Sequence, residues 1–255
     1  MLFKSKRLYI AAVLMILLGC FVFIIGCESQ AEELDLFVAA GLKKPMDEVI
    51  AIFKEETGVE VIPNFGPSGG LYTQIEEDQP CDLYFSADWS YIEKLEESDR
   101  VAVAEKFLLD HEVLVVSESG QGKVTCFEDL LKPGIAVGIC EPTAPGGFYA
   151  ETALKSMGLW DDLVASGNLK ARPSTVNQLA LMIEEDELDA GLNYSSVTNL
   201  NNQIIVETVP LEHTGDIIFG ASIIKGGNED LAQRFLEIAF EHIDEFTVYG
   251  WLPCE

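Results

Sequence analysis

Basic residues are scarce in this chain. Its 255 residues include 16 Lys plus Arg against 43 Asp plus Glu, a formal charge of −27. That balance excludes nucleic acid as a partner, because binding to a phosphate backbone relies on clustered cations that release counterions. Histidine is rarer still, with His111, His213 and His242 alone, and none of the six cysteines forms a C-x-x-C pair. A structural zinc site or a His/Cys-rich metal centre therefore lacks ligands at workable spacing. There is no internal repeat and no low-complexity tract. At 48% hydrophobic residues the acidic chain is a packed globular protein and not a disordered tail. Its length suffices for one large or two small domains.

Charge is absent from one long run near the start. Lys4, Lys6 and Arg7 form a positive head, and Leu8 to Gly26 follows without a charged residue. This is the pattern of a secretory signal peptide (1–26) or of an uncut signal anchor, and its length approaches a bilayer span. In either case the body of the protein faces outside the cytoplasm. Ile24-Ile25-Gly26-Cys27 resembles the lipobox of bacterial and archaeal lipoproteins, and Leu17-Leu18-Gly19-Cys20 resembles it more loosely. The resemblance implies cleavage before Cys27 and a diacylglycerol on its thiol, with residues 27–33 as a polar linker. Cleavage at Cys20 would leave an apolar Phe-Val-Phe-Ile-Ile tether. Removing residues 1–26 takes three basic and no acidic residues, which leaves 13 Lys plus Arg against 43 Asp plus Glu, a charge of −30. Cys81, Cys126, Cys140 and Cys254 remain; one or two disulfides, in any of three full pairings, and buried free thiols are both open.

From residue 35 onward, strand and helix patterns alternate. Leu36–Ala40, Val59–Phe65 and Asp82–Ala87 read as strands, with an amphipathic helix after the first carrying Met46, Val49, Ile50 and Phe53. Ile135–Gly138 and Ala190–Tyr194 repeat the grammar further on. Pro142–Gly147 reads as a tight loop before a helix from Phe148 to Met157, and Ser174 as the N-cap of a helix from Val176 to about Glu187. Two runs, Glu112–Val116 and Ile217–Ile224, bracket the middle segment. The alternation predicts α/β layering with largely parallel sheets, in a two-lobed body whose chain crosses between lobes twice.

In open α/β sheets, ligands gather at the carboxyl ends of strands, where helix N-termini point. Four such turns carry small residues: Ala40-Gly41, Pro67-Ser68-Gly69, Pro145-Gly146-Gly147 and Ser174-Thr175-Val176. Converged on one cleft, they would offer backbone N–H groups and positive dipole ends to an anion. Each charge-assisted hydrogen bond contributes roughly 1.5–3 kcal/mol. Small-residue turns are also ordinary punctuation between strand and helix. The turn Gly66-Pro67-Ser68-Gly69-Gly70 additionally matches G-x-S-x-G, in which serine is a nucleophile. A Ser68-dependent α/β-hydrolase would need one of the three histidines and an acid downstream. Only one strand–helix unit precedes the turn after the leader, and no H-G-G-G motif is present, so a binding protein is the preferred reading.

Phe37–Leu42, Glu56–Val61, Phe65–Leu71, Gln74-Ile75 and Cys81–Asp88 resemble the molybdate/tungstate substrate-binding lipoproteins of ABC importers. Ala136–Gly138, Pro145–Ala150 and Leu192–Tyr194 continue the likeness over nearly the whole chain after the leader. The resemblance implies a two-lobed periplasmic-binding-protein clamp of type II with two crossover strands. Its lobes would be residues 34–114 plus 222–255, and 115–221. By position it implies an oxyanion site of Gly41, Ser68, Gly146, Val176 and Tyr194, with the metal entering as its oxyanion and no side chain coordinating it. Ser68 would donate N–H and Oγ–H, Gly146 and Val176 N–H, and Tyr194 its phenol. Gly41 stands where the bacterial pattern has serine. Lys43 or Lys44 would compensate with charge, or would form a solvated first turn. Archaeal-type members add two carboxylates at positions held here by Ala144 and Asn193, so an intact tetrahedral oxyanion is expected.

The implied protein is a monomeric, lipid-anchored, extracytoplasmic receptor, in the periplasm or on the outer face of the membrane. It delivers molybdate or tungstate to ABC permease subunits and uses no cofactor. A binding protein or sensor for sulfate, phosphate or a small organic anion is the alternative.

Overall fold

The computed structural model describes residues 32–254, and the expected leader, with Cys20 and Cys27, lies outside them. Strand β1 (Glu33–Ala39) ends in a 3-10 turn (Ala40–Leu42) that runs into the helix Lys43–Thr57. Then follow β2 (Glu60–Gly66), the helix Ser68–Glu76, β3 (Leu83–Ser86), the helix Trp89–Glu97 and β4 (Val101–Asp110). A single residue, His111, separates β4 from β5 (Glu112–Val116). The middle of the chain holds β6 (Val137–Gly138), the helices Pro145–Ser156 and Trp160–Ser166, and β7 (Leu169–Ala171). It continues with the helix Val176–Glu184, β8 (Ala190–Tyr194), the helix Ser195–Leu200 and β9 (Ile204–Thr208). The chain closes with β10 (Ile217–Ile224), the helix Glu229–Glu241 and β11 (Leu252–Pro253).

These strands form two mixed sheets, in the orders β11-β4-β10-β3-β1-β2 and β7-β6-β8-β5-β9. The expectation of largely parallel sheets holds only around β1 and β6. β1 pairs in parallel with β2 and β3, and β6 with β7 and β8, whereas β10 runs antiparallel to β3 and β4, and β5 to β8 and β9. The parallel strands are those followed by a helix, which carries the chain back for another parallel entry. The antiparallel ones lie where the chain changes sheet, at His111 and again between Thr208 and Ile217. β5 therefore belongs wholly to the second sheet and β10 wholly to the first.

Leu34, Leu36 and Val38 of β1 are fully buried, as a central strand covered on both faces requires. The helices Lys43–Thr57 and Glu229–Glu241 cover one face of the first sheet, with Phe53 and Phe235 in contact at a ring separation of 5.0 Å. Full burial of such a side chain contributes about 1.5–3 kcal/mol. The same apolar cluster continues through Ala144, Val176, Tyr194 and Val197 from the other sheet's layers, so the two lobes meet across packed side chains.

Two local expectations need correction. The helix after β6 starts at Pro145 and not at Phe148, because proline at the first helical position loses no hydrogen bond and presets the backbone angle. Gly147 sits in that first turn, where a Cβ would lie 2.2 Å from the Glu141 carbonyl oxygen. The N-cap of the helix Val176–Glu184 is Thr175, whose hydroxyl accepts from the Gln178 N–H at 3.2 Å. Ser174 bonds the Gln178 side chain instead. The C-terminal helix stops at Glu241, and the remaining chain turns back to add β11 beside β4.

Candidate functional site

Register brings the carboxyl ends of the first sheet's parallel strands level. Ala39 of β1 pairs with Gly66 of β2, and Val38 pairs with Phe85 of β3. The segments leaving these strands, Ala40-Gly41, Pro67-Ser68 and Ala87, therefore reach one spot. From the second sheet, Ala144–Gly146, Ser174–Val176 and Tyr194 reach the same spot. All five residues named from the sequence, Gly41, Ser68, Gly146, Val176 and Tyr194, line this one cavity.

Four of the five lie in the first turn of a helix or 3-10 turn, where N–H groups have no carbonyl partner within their own helix. The dipoles of those turns place their positive ends at the cavity. No Lys, Arg, Asp or Glu lines it, so the field comes from neutral donors alone. The space is about 20 Å³ as swept by the centre of a water molecule, a sphere of about 1.7 Å radius. Restoring a water radius of about 1.4 Å gives room for a body of about 3 Å radius. A single tetrahedral oxyanion has that size.

Ser68 is braced on two sides. Tyr84 Oη donates to its carbonyl at 2.9 Å, and the Ala87 N–H donates to its Oγ at 3.0 Å. Ser86 and Asp88 shape the turn that aims Ala87, through Ser86 Oγ to the Asp88 carbonyl at 2.8 Å and the Asp88 cap on Ser90. The Tyr194 phenol is 3.5 Å from the Ala87 carbonyl, a long contact that leaves its proton free to turn to an anion. Burial first, and then the Glu112 carboxyl, hold that phenol well above its ordinary pKa, so it remains a donor.

The other sequence candidates lie elsewhere. Lys43 pairs with Asp47 at 2.8 Å and covers the Phe65 ring, while Lys44 covers Tyr249, so neither brings charge into the cavity. Ala144 lines the cavity and has no carboxylate to offer. Asn193 is fully buried and spent internally, donating to the Val176 carbonyl at 3.2 Å and accepting from the Tyr194 N–H at 2.9 Å. No histidine lines the cavity, and His213 bonds Ser156, which removes the Ser68 triad. Among the described residues no cluster of His, Cys, Asp or Glu could hold a metal ion, and Cys81, Cys126, Cys140 and Cys254 are all free thiols.

Sequence reasoning missed the residues that hold the two lobes together. Asn177 Nδ2 donates to the Ala40 carbonyl at 2.6 Å, linking the helix Val176–Glu184 to the turn after β1. Tyr91 Oη reaches the Thr143 carbonyl at 3.5 Å across the cavity mouth. The position of Asn177, next to a candidate ligand in a helix's first turn, was the available signal.

The family described as bacterial extracellular solute-binding protein matches residues 34–240. The molybdate-binding protein ModA of Escherichia coli (strain K12) is 29% identical over 227 residues, 84% of this chain and 87% of that protein. A provisionally named ABC transporter substrate-binding lipoprotein of Bacillus subtilis (strain 168), YvgL, is 28% identical over 98% of this chain and 99% of its own length. Among solved structures, the periplasmic molybdate-binding protein of Azotobacter vinelandii superposes with a TM-score of 0.77. That match covers 87% of this chain and all of the other, and at 21% identity it speaks to the fold.

Proposed function

The chain belongs to the bacterial extracellular solute-binding protein family, and from that premise we propose that it captures a divalent tetrahedral oxyanion, molybdate or tungstate foremost, for an ABC importer. The observation that carries this reading is the cavity itself. Backbone donors of Gly41, Ser68, Gly146 and Val176, the Ser68 hydroxyl and the Tyr194 phenol surround a space about the size of one oxyanion, without a charged side chain. A protein of charge −27 holds an anion only where local dipoles outweigh its overall field, and oriented N–H groups at helix starts do so.

The ligand is gripped from both lobes, with Gly41 and Ser68 from the first sheet's turns on one side and Gly146, Val176 and Tyr194 from the second sheet's on the other. Closure around it forms the surface that the permease subunits read. No chemistry is done on the anion, and no cofactor takes part. The protein acts as a monomer tethered by a lipid on Cys27, a reading supported by the lipobox pattern and by the lipoprotein relative that matches along nearly its full length. No helix among the described residues is long and apolar enough to cross a membrane.

Isothermal titration of the soluble body with molybdate, tungstate, sulfate and phosphate tests the assignment. Binding of the two metal oxyanions in preference to the others supports it. Heat with sulfate or phosphate alone sinks it and favours the alternative anion receptor.

A further inference from the structure

Glu112 opens β5, one residue after the chain leaves the first sheet, and lies directly opposite Tyr194 in the antiparallel pair of β5 with β8. Opposed residues of such a pair project to the same face, with Cβ atoms about 4.5–5.5 Å apart. Glu112 therefore stands beside the phenol that lines the cavity. It is 1% exposed, and neither of its carboxyl oxygens has a hydrogen-bond partner among the described residues. A buried ionised carboxylate without a partner is strongly disfavoured.

Its surroundings supply no counter-charge. Asp110, at the end of β4, is a second buried carboxyl that disfavours a charge on Glu112. Tyr194 on β8, Tyr149 on the helix Pro145–Ser156, and Cys140 all feel Glu112, and burial keeps each of them protonated. Asp88 adds a further acidic group toward Tyr149 and Tyr194, and Glu141 one toward Cys140. Arg172, the cation that acts on Cys140, is spent on the Cys140 carbonyl and on Glu151. On β9, the flanking acid Glu207 is exposed. Burial first and Asp110 second push the Glu112 carboxyl well above the usual carboxylate range.

A dianion in the cavity and a carboxylate on Glu112 would repel each other across Tyr194, in a region of low dielectric with no cation between them. Resting on the oxyanion reading of the cavity, we propose that Glu112 is a proton site coupled to it: the anion-bound protein holds one proton on Glu112, and ionisation of Glu112 drives the anion out. One proton enters from solvent for each dianion captured by the ionised form, and it returns to solvent on release. The same residue disfavours closure on the anion when the proton is lost.

Titration calorimetry with molybdate, which stays a dianion from neutral to alkaline pH, tests the coupling in wild type and Glu112→Gln. Above the pKa of Glu112 in the free protein, the wild-type Kd should rise about tenfold per pH unit. Glu112→Gln should bind at neutral pH at least as tightly and show no such slope. In buffers of different ionisation heat, wild type should take up protons on binding at alkaline pH, and the variant should not. Equal slopes and equal proton uptake in the two proteins overturn the proposal. Absence of molybdate binding by wild type at every pH overturns the oxyanion reading as well, so the two failures are distinguishable. Should the variant not fold, carboxyl-carbon NMR of wild type labelled at glutamate side chains reads Glu112 directly. Its ionisation should move to higher pH with molybdate bound; ionisation at the same pH with and without molybdate overturns the proposal.

Discussion

The backbone N–H of Ala87 donates to Ser68 Oγ at 3.0 Å. That bond occupies an oxygen lone pair, so the hydroxyl's own proton is directed away from Ala87, and the neighbouring acceptor-hungry space is the cavity. The G-x-S-x-G turn thus holds its serine as a hydrogen-bond donor. Ser68→Ala should weaken molybdate binding by about 1–3 kcal/mol in titration calorimetry. It should also lower unfolding stability by a similar amount, about 1–3 kcal/mol, because a buried N–H at Ala87 loses its acceptor. Unchanged affinity would remove Ser68 from the site.

Gly146 leaves room that Val176 fills. A Cβ at position 146 would lie 2.8 Å from Val176 Cγ1 and 3.6 Å from the Tyr194 ring. Only the first of these is a clash, so Gly146→Ala should displace Val176, at an overpacking cost of about 1–3 kcal/mol in binding. Val176→Ala in the same chain should restore most of that loss. A double variant no better than the single one would show that the cost arises elsewhere.

Asn177 bridges the lobes through the Ala40 carbonyl at 2.6 Å without lining the cavity. Asn177→Ala should weaken anion binding by about 0.5–1.5 kcal/mol, the net value of one such bond. The loss should appear in a faster dissociation rate, with thermal unfolding of the separate lobes little changed. Small-angle scattering should show a more open unliganded protein than wild type.

The two buried acids at the joint between sheets set a pH dependence of stability. Asp110 is raised to about 7 by burial, which outweighs donors from Ser196 and His111. Glu112 is raised further, by burial and then by Asp110. A carboxyl whose folded pKa lies above its unfolded value, about 4, favours the fold fully below that value. Its contribution is lost as pH rises through the folded pKa. Stability should thus decline from about pH 4 to about pH 7 through Asp110. Glu112→Gln should equal wild type in acid and exceed it increasingly as pH rises. Denaturant melts at a series of pH values check the crossing, and a variant less stable at neutral than at acid pH relative to wild type would contradict it.

Much of this was legible in the sequence, for identifiable reasons. Short apolar runs ending in small residues located β1, β2, β3 and β8, and the same small residues marked where donors would converge. Hydrophobic periodicity could not reveal β4, whose alternation is broken where its pairing with β10 shifts register, whereas β6 falls within the run Ile135–Gly138 read as a strand. It placed the start of the helix at Phe148, since Pro145-Gly146-Gly147 has turn chemistry in isolation. Proline at the first helical position presets the backbone for helix there. Gly41 also changes meaning. A Cβ there would sit 3.2 Å from Val176 Cγ2 and 3.3 Å from Val197 Cγ2, so the missing hydroxyl accompanies close packing by two valines. Glu112 read as one polar residue at a strand edge, because a lone acid in sequence does not disclose that it is buried without a partner.

The central claim is that neutral donors from both lobes hold one oxyanion. Crystals grown with tungstate test it most directly, since tungsten's anomalous scattering locates the ion without ambiguity. The peak should fall among Gly41, Ser68, Gly146, Val176 and Tyr194, with oxyanion oxygens about 2.7–3.2 Å from their donors. A peak outside this cavity, or tungsten ligated directly by carboxylates, would contradict it.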